Sequence, residues 1–311
     1  MAIRNTLSAS VERQTEQGRE IIKENWFTYL LLTPVFLFII TLLWLPFLRG
    51  VWMSFHEWPL IGDSEWVGFR NYIYLLNWSP FWTGVWATVV YASIVVFQLA
   101  LALLASLLVS SLDRLKWLVT GVFLIPYTMP PVVTGNIWRF ILHPTHGMLF
   151  HYLTQWGILE EAVYWSSDGT LALIGVMFAG TWTFWPFMFL ILTATLDNIP
   201  SSYYESAQVY GANRLQRLTR ITLPKLKTAI LIVVSLRMIW NLAKVSQVIQ
   251  MTDGGPGWST SILAVILYRM GVNSGSLGQA YAVGLILLAL LLGFVFLFIR
   301  EFESTAEEID Q

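Results

Sequence analysis

The sequence predicts an all-α membrane bundle of six spanning helices with both chain ends on the cytoplasmic side, and three observations carry that expectation. The 311 residues are 56% hydrophobic and only 12% charged, whereas soluble domains sit near a quarter charged. Six stretches, 28–50, 82–111, 117–142, 171–197, 226–250 and 279–300, are apolar over the length of about 20 residues that a bilayer crossing needs. The cations are also asymmetric. With the N-terminus inside, Arg4, Arg13, Arg19, Lys23, Arg114, Lys116, Arg214, Arg217, Arg220, Lys225, Lys227 and Arg300 lie on the cytoplasmic side, and only Arg49, Arg70, Arg139 and Arg269 lie outside. That excess is about threefold, and the opposite orientation would invert it.

Along the chain, residues 1–27 mix Arg4, Arg13, Arg19 and Lys23 with Glu12, Glu16, Glu20 and Glu24 and show no small-residue cleavage site; they read as a solvated cytoplasmic tail. Trp52, Trp58, Trp66, Trp78 and Trp82 crowd the first outer segment as an aromatic interface belt. The third span contains Pro126-Tyr-Thr-Met-Pro130-Pro131, which fits a bent or flexing helix. The fourth contains Thr181-Trp182-Thr183-Phe184-Trp185-Pro186-Phe187; Pro186 removes one backbone hydrogen bond and should kink the span. The apolar piece 261–270 is too short to cross and reads as an interfacial or re-entrant segment. The domain expectation is a six-helix unit over 28–300, including a cytoplasmic loop at 198–225, with a C-terminal tail at 301–311 also inside.

Several chemistries find no support. There is no cysteine, hence no disulfide or thiolate metal site, and no phosphate loop, HExxH or GxSxG pattern occurs. His143, His146 and His151 share one outer loop, but without a carboxylate at ligand spacing a polar loop touching a partner is the preferred reading. The near-neutral net charge gives no footprint for nucleic acid. No catalytic residue, metal ligand or cofactor is assigned.

The loop between the fourth and fifth spans is the most informative stretch. Ser202 and Glu205 have capping-box spacing, and Gly211 suits a left-handed helix end. From Asn213 a second short helix would set Arg214, Arg217 and Arg220 along one side and Leu215, Leu218 and Ile221 along the other, with Pro224 in the first turn of the next element. Two helices this short cannot bury an adequate core of their own, so they call for a second protein.

The fifth span carries Arg237 near its middle and Lys244 beyond it. Each costs roughly 2.5–3.5 kcal/mol at mid-bilayer. Helical spacing puts Arg237, Asn241, Lys244 and Gln247 or Val248 on one stripe with Trp240 beside it, a stripe that cannot face lipid. It would either line a wet cavity or be satisfied by a neighbouring helix. Asp197, the only acid at membrane depth, sits at the far end of another span, which favours the cavity. Cation donors, an amide and an indole suit a polyhydroxy or oxyanion ligand.

Glu205-x-Ala207-(x)3-Gly211-(x)9-Ile221-x-Leu223-Pro224 resembles the EAA loop of binding-protein-dependent ABC importer permeases, with Ser206 in place of the first alanine. Met251-Thr252-Asp253-Gly254-Gly255-Pro256 is similar to the TxGGP segment of carbohydrate importer permeases of the maltose-transporter "F" side, and Val67-Gly68-Phe69-Arg70-Asn71-Tyr72 resembles the VGLxNY segment before the second span. The resemblance covers about 28–300. It implies the type I ABC importer permease bundle, in a heterodimer with a similar permease subunit, two cytoplasmic ATPases and an extracytoplasmic solute-binding protein.

By the same resemblance Glu205, Ser206, Ala207, Gly211, Arg214 and Arg217 would couple to the ATPase. The sugar-lining positions would fall on Gly180, Thr183, Phe184 and Phe187 in the fourth span and on Arg237, Trp240, Asn241 and Lys244 in the fifth. Arg237 and Lys244 are more cationic than their counterparts, which leaves room for another oligosaccharide or a glycerophosphate-like solute. An arginine at the position of Arg237 also occurs in such permeases without an anionic substrate. An ion-coupled secondary transporter, and a membrane enzyme or scaffold, are the competing classes.

Overall fold

The computed structural model describes residues 23, 25–59, 61–112 and 114–310, the last ten by their backbone alone. Contacts divide the chain between Met53 and Ser54 into two compact units. The first contains α1 (Trp26–Met53), apolar and long enough to cross a membrane, which passes through Pro34 and a π-helical turn at Ile40–Trp44. The tail expected at 1–27 lies, apart from residues 23 and 25–27, outside the described residues.

The second unit opens with a feature that the all-helical expectation missed, a short antiparallel ribbon of β1 (His56–Glu57) and β2 (Glu65–Trp66). Two residues per strand leave no alternating pattern to read in sequence. Asn71, in α2 (Arg70–Asn77), is buried and donates to the carbonyls of Ser54 and His56 at 2.8 and 2.9 Å. Arg70 pairs with Glu57. The resembling segment at 67–72 thus clamps the ribbon.

Two long helices form the spine: α3 (Ser79–Ser110) and α7 (Gly169–Asp197). On α3 the buried face runs through Gln98, Ala102, Ala105, Ser106 and Val109, small enough for close helix approach. Ser106 Oγ donates to its own helix at Ala102 and reaches the Phe189 carbonyl of α7 at 3.3 Å, while Thr193 Oγ1 donates to Ser106 Oγ at 3.1 Å. At the far end of α7, Asp197 pairs with Lys116 at 2.5 Å. The helix stays continuous through Pro186.

The third expected span is divided into α4 (Lys116–Thr128) and α5 (Pro131–Ile141), which meet at 93°. The cause is local. Met129 and Pro130 each precede a proline and are both held extended, with ψ of 135 and 139°, because the following pyrrolidine ring disfavours helix. Pro131 then starts α5, where its missing N–H costs nothing.

After α6 (Met148–Gln155), α7 and α8 (Ser201–Val209) comes α9 (Arg214–Leu242), which meets α10 (Ser246–Thr252) at 51°. No proline or glycine marks that break. The piece read as interfacial forms α11 (Leu263–Asn273). Its Leu263, Ala264, Val265 and Ile266 are buried in the protein core, and its first N–H is accepted by Thr88 Oγ1 of α3 at 2.8 Å. Its first turn therefore packs as core, while Tyr268 and Val272 farther along are exposed; the expectation was of an interfacial or a re-entrant segment.

The last helix, α12 (Leu277–Asp310), continues through the segment read as a tail. Residues 301–310 contain no glycine or proline, so nothing local stops it. Among the described residues, four helices are long and apolar enough to cross a membrane, or up to six if each bent pair is one span.

Gly278, where α12 begins, abuts the ribbon. A Cβ there would collide with the His56 carbonyl oxygen and lie 3.0 Å from Asn71 Nδ2. Overpacking of this kind costs about 1–3 kcal/mol. Gly278→Val should lower the thermal midpoint and the monodisperse yield in detergent, whereas Gly293→Val, at a position where a Cβ meets nothing within 4 Å, should leave both near the parent.

Candidate functional site

The fifth-span cation is the centre of a hydrogen-bonded network whose direction is fixed at one end. The Gly180 carbonyl of α7 only accepts, so Gln98 of α3 turns its NH2 to it, with Nε2 donating at 3.2 Å. Gln98 Oε1 is then free to accept from Arg237 Nε and Asn241 Nδ2, both at 3.3 Å. Arg237 Nη2 donates to Asn241 Oδ1 at 2.6 Å, one helical turn on. Arg237, Asn241 and Gln98 are all buried.

Arg237 is thus satisfied by two neutral amide oxygens, and it does not line an open cavity. The acceptor that changes the expectation is Gln98. A lone amide in the apolar stretch 82–111 is itself a signal that sequence reasoning passed over.

Aromatic faces complete the surroundings. The Arg237 guanidinium lies 4.7 Å from the Phe184 ring centroid and 5.7 Å from that of Trp240, and Lys244 Nζ lies 3.9 Å from the same Phe184 ring, all within cation–π range. Phe187 meets Trp240 edge-on at 4.9 Å and Tyr127 at 6.0 Å. The two charges are at most about 9 Å apart and repel by roughly 2 kcal/mol at an effective dielectric near 20. Among the described residues, no carboxylate pairs with either.

Lys244 does not continue the expected stripe, because α9 ends at Leu242 and the chain turns before Ser246. Beyond the turn, Gln247 is held at two points. The hydroxyls of Thr134 and Thr183 donate to carbonyls of their own helices, so they can only accept from Gln247 Nε2, at 3.3 and 3.0 Å. Gln247 Oε1 is left buried without a donor, as is Tyr91 Oη beside Gly180.

Seven of the eight expected residues meet in one cluster, Gly180, Phe184, Arg237, Asn241 and Lys244 around the network and Phe187 and Trp240 at its edge, while Thr183, next to Phe184 on α7, bonds Gln247 instead. Trp240 is 39% exposed, and Phe187 and Lys244 are half-buried. Those three form the accessible rim over a closed polar floor. Clefts also lie elsewhere. One of about 420 Å³ borders Arg139, His143, Trp165 and Asp253.

That cleft adjoins the segment 251–256, which ends α10. Asp253 and Gly254 take φ of 50 and 80°. The Gly254 carbonyl accepts from Ser261 Oγ at 2.8 Å and the Gly255 carbonyl from Thr260 Oγ1 at 3.0 Å. Arg269 Nη1 donates to the Asp253 carbonyl at 3.3 Å while its guanidinium sits 4.1 Å from the Trp258 ring centroid. The motif is a cap built from side chains of α11 and its approach. In the loop after α5, His143 Nδ1 accepts the N–H of His146 at 3.2 Å.

The loop 198–225 departs from expectation at two points. Pro200 occupies the N-cap of α8, so Ser202 is already helical and forms no capping box with Glu205. The capping box forms instead between Asn213 and Gln216, at 2.9 Å in both directions. Second, the helix from Arg214 does not stop before the fifth span. It runs into it through a π-helical turn at Leu218–Thr222, where Leu223 N bonds to the Leu218 carbonyl. Pro224 has no N–H to give Arg220, which shifts the ladder there.

Gly211 does end α8 left-handed, at φ 77°, with Ala212 N bonding to Ala207 O and Gly211 N to Gln208 O, a Schellman cap. Arg214 and Arg217 line an 820 Å³ cleft with Asp197, Tyr204 and Ser110. The exposed surface of the loop also includes large apolar side chains, Val209 at 86%, Tyr210 at 90% and Leu215 at 66%, alongside the exposed Arg214 and Arg220. Glu205, Ser206 and Gly211 are also exposed and Ala207 is half-buried.

The profile of the family described as binding-protein-dependent transport system inner membrane component matches residues 98–302. The trehalose/maltose transport system permease protein MalF of Thermococcus litoralis is 27% identical over 88% of this chain and 92% of its own length. The sulfoquinovosyl glycerol transport system permease protein SmoG of Agrobacterium fabrum is 31% identical over 87% and 88%. In fold, the chain superposes with a TM-score of 0.80, at 22% identity, on a chain of a bacterial ABC transporter that imports the acidic polysaccharide alginate, covering 92% of this chain and 98% of that one.

Hydrogen bonds to a charged donor are worth about 1.5–3 kcal/mol, while neutral interhelical bonds in membranes average about 0.6. Gln98→Leu should therefore lower the unfolding free energy in detergent by about 2 kcal/mol or more, and Ser106→Ala by well under 1. Equal effects from the two would show that Gln98 does not hold the Arg237 charge.

Proposed function

Since the chain belongs to the family of binding-protein-dependent transport system inner membrane components, we propose that it is the permease subunit of an ATP-driven importer of a carbohydrate-type solute, forming half of the passage. The observation that carries the reading is the family match over 98–302, which takes in both the loop 198–225 and the Arg237 cluster. Relatives named for trehalose/maltose and for sulfoquinovosyl glycerol transport, matched over most of both chains, support the solute class. ATP hydrolysis then belongs to another subunit.

In this reading each bent pair, α4–α5 and α9–α10, counts as one span. That makes six spans in one permease domain over 28–300 of the cell membrane, with both termini on the cytoplasmic side. The loop 198–225 faces the cytoplasm and couples to one of two ATPases through Glu205, Ser206, Ala207 and Gly211. Its exposed Val209, Tyr210 and Leu215 supply apolar surface that a partner would cover, and the exposed Arg214 and half-buried Arg217 join the coupling set. A homologous permease subunit supplies the other half of the passage, and an extracytoplasmic solute-binding protein delivers the solute. The solute meets Phe187, Trp240 and Lys244 first, above the floor made by Gly180, Thr183, Phe184, Arg237 and Asn241.

In the reconstituted complex, Glu205→Lys should cut solute uptake at least tenfold with the subunit still inserted, and Gly211→Pro should do the same, because proline cannot adopt φ 77°. Wild-type uptake by Glu205→Lys would remove the coupling role. The chain has no cysteine, so single cysteines report topology directly. An impermeant maleimide should label Thr145→Cys in intact cells and Leu215→Cys only after permeabilisation, and the reverse pattern would invert the orientation.

A further inference from the structure

We propose that the solute recognised at this cluster carries an anionic group, a carboxylate, sulfonate or phosphate, and that Lys244 receives it. This inference rests on the importer reading above and narrows its substrate class. The argument begins with charge. Arg237 and Lys244 both address the Phe184 ring, at 4.7 and 3.9 Å from its centroid. Two like charges converging on one phenyl ring in a low-dielectric surrounding call for a counter-charge.

None comes from the described residues. The ion pairs among them join Arg70 to Glu57 and Lys116 to Asp197, which commits the one acid at the depth of α7 to another cation. Arg237 meets its acceptors as neutral amides, Gln98 and Asn241, and these disperse its charge without cancelling it.

The two cations differ in reach. Arg237 is enclosed, 1% exposed and bonded on both sides, so it contributes a fixed field and no direct contact. Lys244 sits at the turn between α9 and α10, half-buried. Its Nζ bonds to no acceptor among the described residues and has only the Phe184 face beneath it. An ammonium has three donors, and a π face occupies one side of it. Trp240, 39% exposed, and Phe187, edge-on to it at 4.9 Å, offer the aromatic faces on which a sugar ring can stack. A ligand with an apolar pyranose face and an anionic substituent satisfies both halves at once. A neutral glycoside fills the aromatic rim and leaves the ammonium unpaired.

The test uses the complete complex, with both permease subunits, the ATPase pair and the solute-binding protein, in proteoliposomes. Three labelled probes are offered: sulfoquinovosyl glycerol, an alginate trisaccharide and trehalose. The expected result is ATP-dependent uptake of at least one anionic probe at least tenfold faster than trehalose. Lys244→Met should reduce that uptake at least tenfold, and Lys244→Arg should retain it within about threefold, with assembly of each variant checked by size-exclusion chromatography. The charge-retaining variant separates loss of the ammonium from loss of the fold. Trehalose uptake equal to or faster than that of the anions, unchanged in Lys244→Met, would overturn the anion assignment and leave the carbohydrate importer standing. ATP-dependent uptake of none of the three would overturn the carbohydrate reading, and this inference with it.

Discussion

A guanidinium buried among apolar helices has to be solvated by the protein, and among the described residues no carboxylate does it. The chain meets that constraint with amides and aromatic faces. Gln98 and Asn241 accept from Arg237, and Phe184 and Trp240 lie over its planar surface. Because Gln98 is anchored to the Gly180 carbonyl, the charge ties α3, α7 and α9 together at a single depth. Removing one acceptor would strand a buried charge, which costs far more than a neutral bond.

The rest of the second unit is arranged so that this tie can form. Small residues on α3 let it approach α7 closely, and Ser106 and Thr193 add bonds further along the same seam. The turn after Leu242 swings α10 toward α5 and α7, where Gln247 reaches Thr134 and Thr183. The same turn leaves Lys244 outside the regular helix, at the rim of the cluster rather than in its floor. A straight fifth helix would have buried both cations on one stripe. The break therefore divides their roles, with one charge held inside and one accessible.

Local chemistry that repeats along the chain was readable without coordinates. Apolar length marked the four long helices and the two bent pairs, and the prolines at 126–131 announced a bend in the third stretch. Gly211 and Asn213 announced a helix end and a helix start. The eight expected residues were nominated by helical spacing and by a family resemblance. What the spacing could not supply was their partner, since Gln98 lies 139 residues from Arg237. The helix continuing from Arg214 into the fifth span was also hidden. Pro224 looked like a fresh start, and only the π-helical turn shows how a helix can carry that residue without ending.

The sequence by itself determined that the chain is apolar and helical, where its long apolar segments fall and which loop stands apart from them. These follow from transfer free energy and backbone preference, which act over a few residues at a time. Tertiary structure decided how the bent pairs are angled, that the first turn of α11 is core, that Arg214 and Arg217 line a cleft while Val209, Tyr210 and Leu215 face outward, and that Arg237 is enclosed while Lys244 is reachable. Those outcomes depend on which distant groups can satisfy a buried polar atom, and that is a property of the packed helices together.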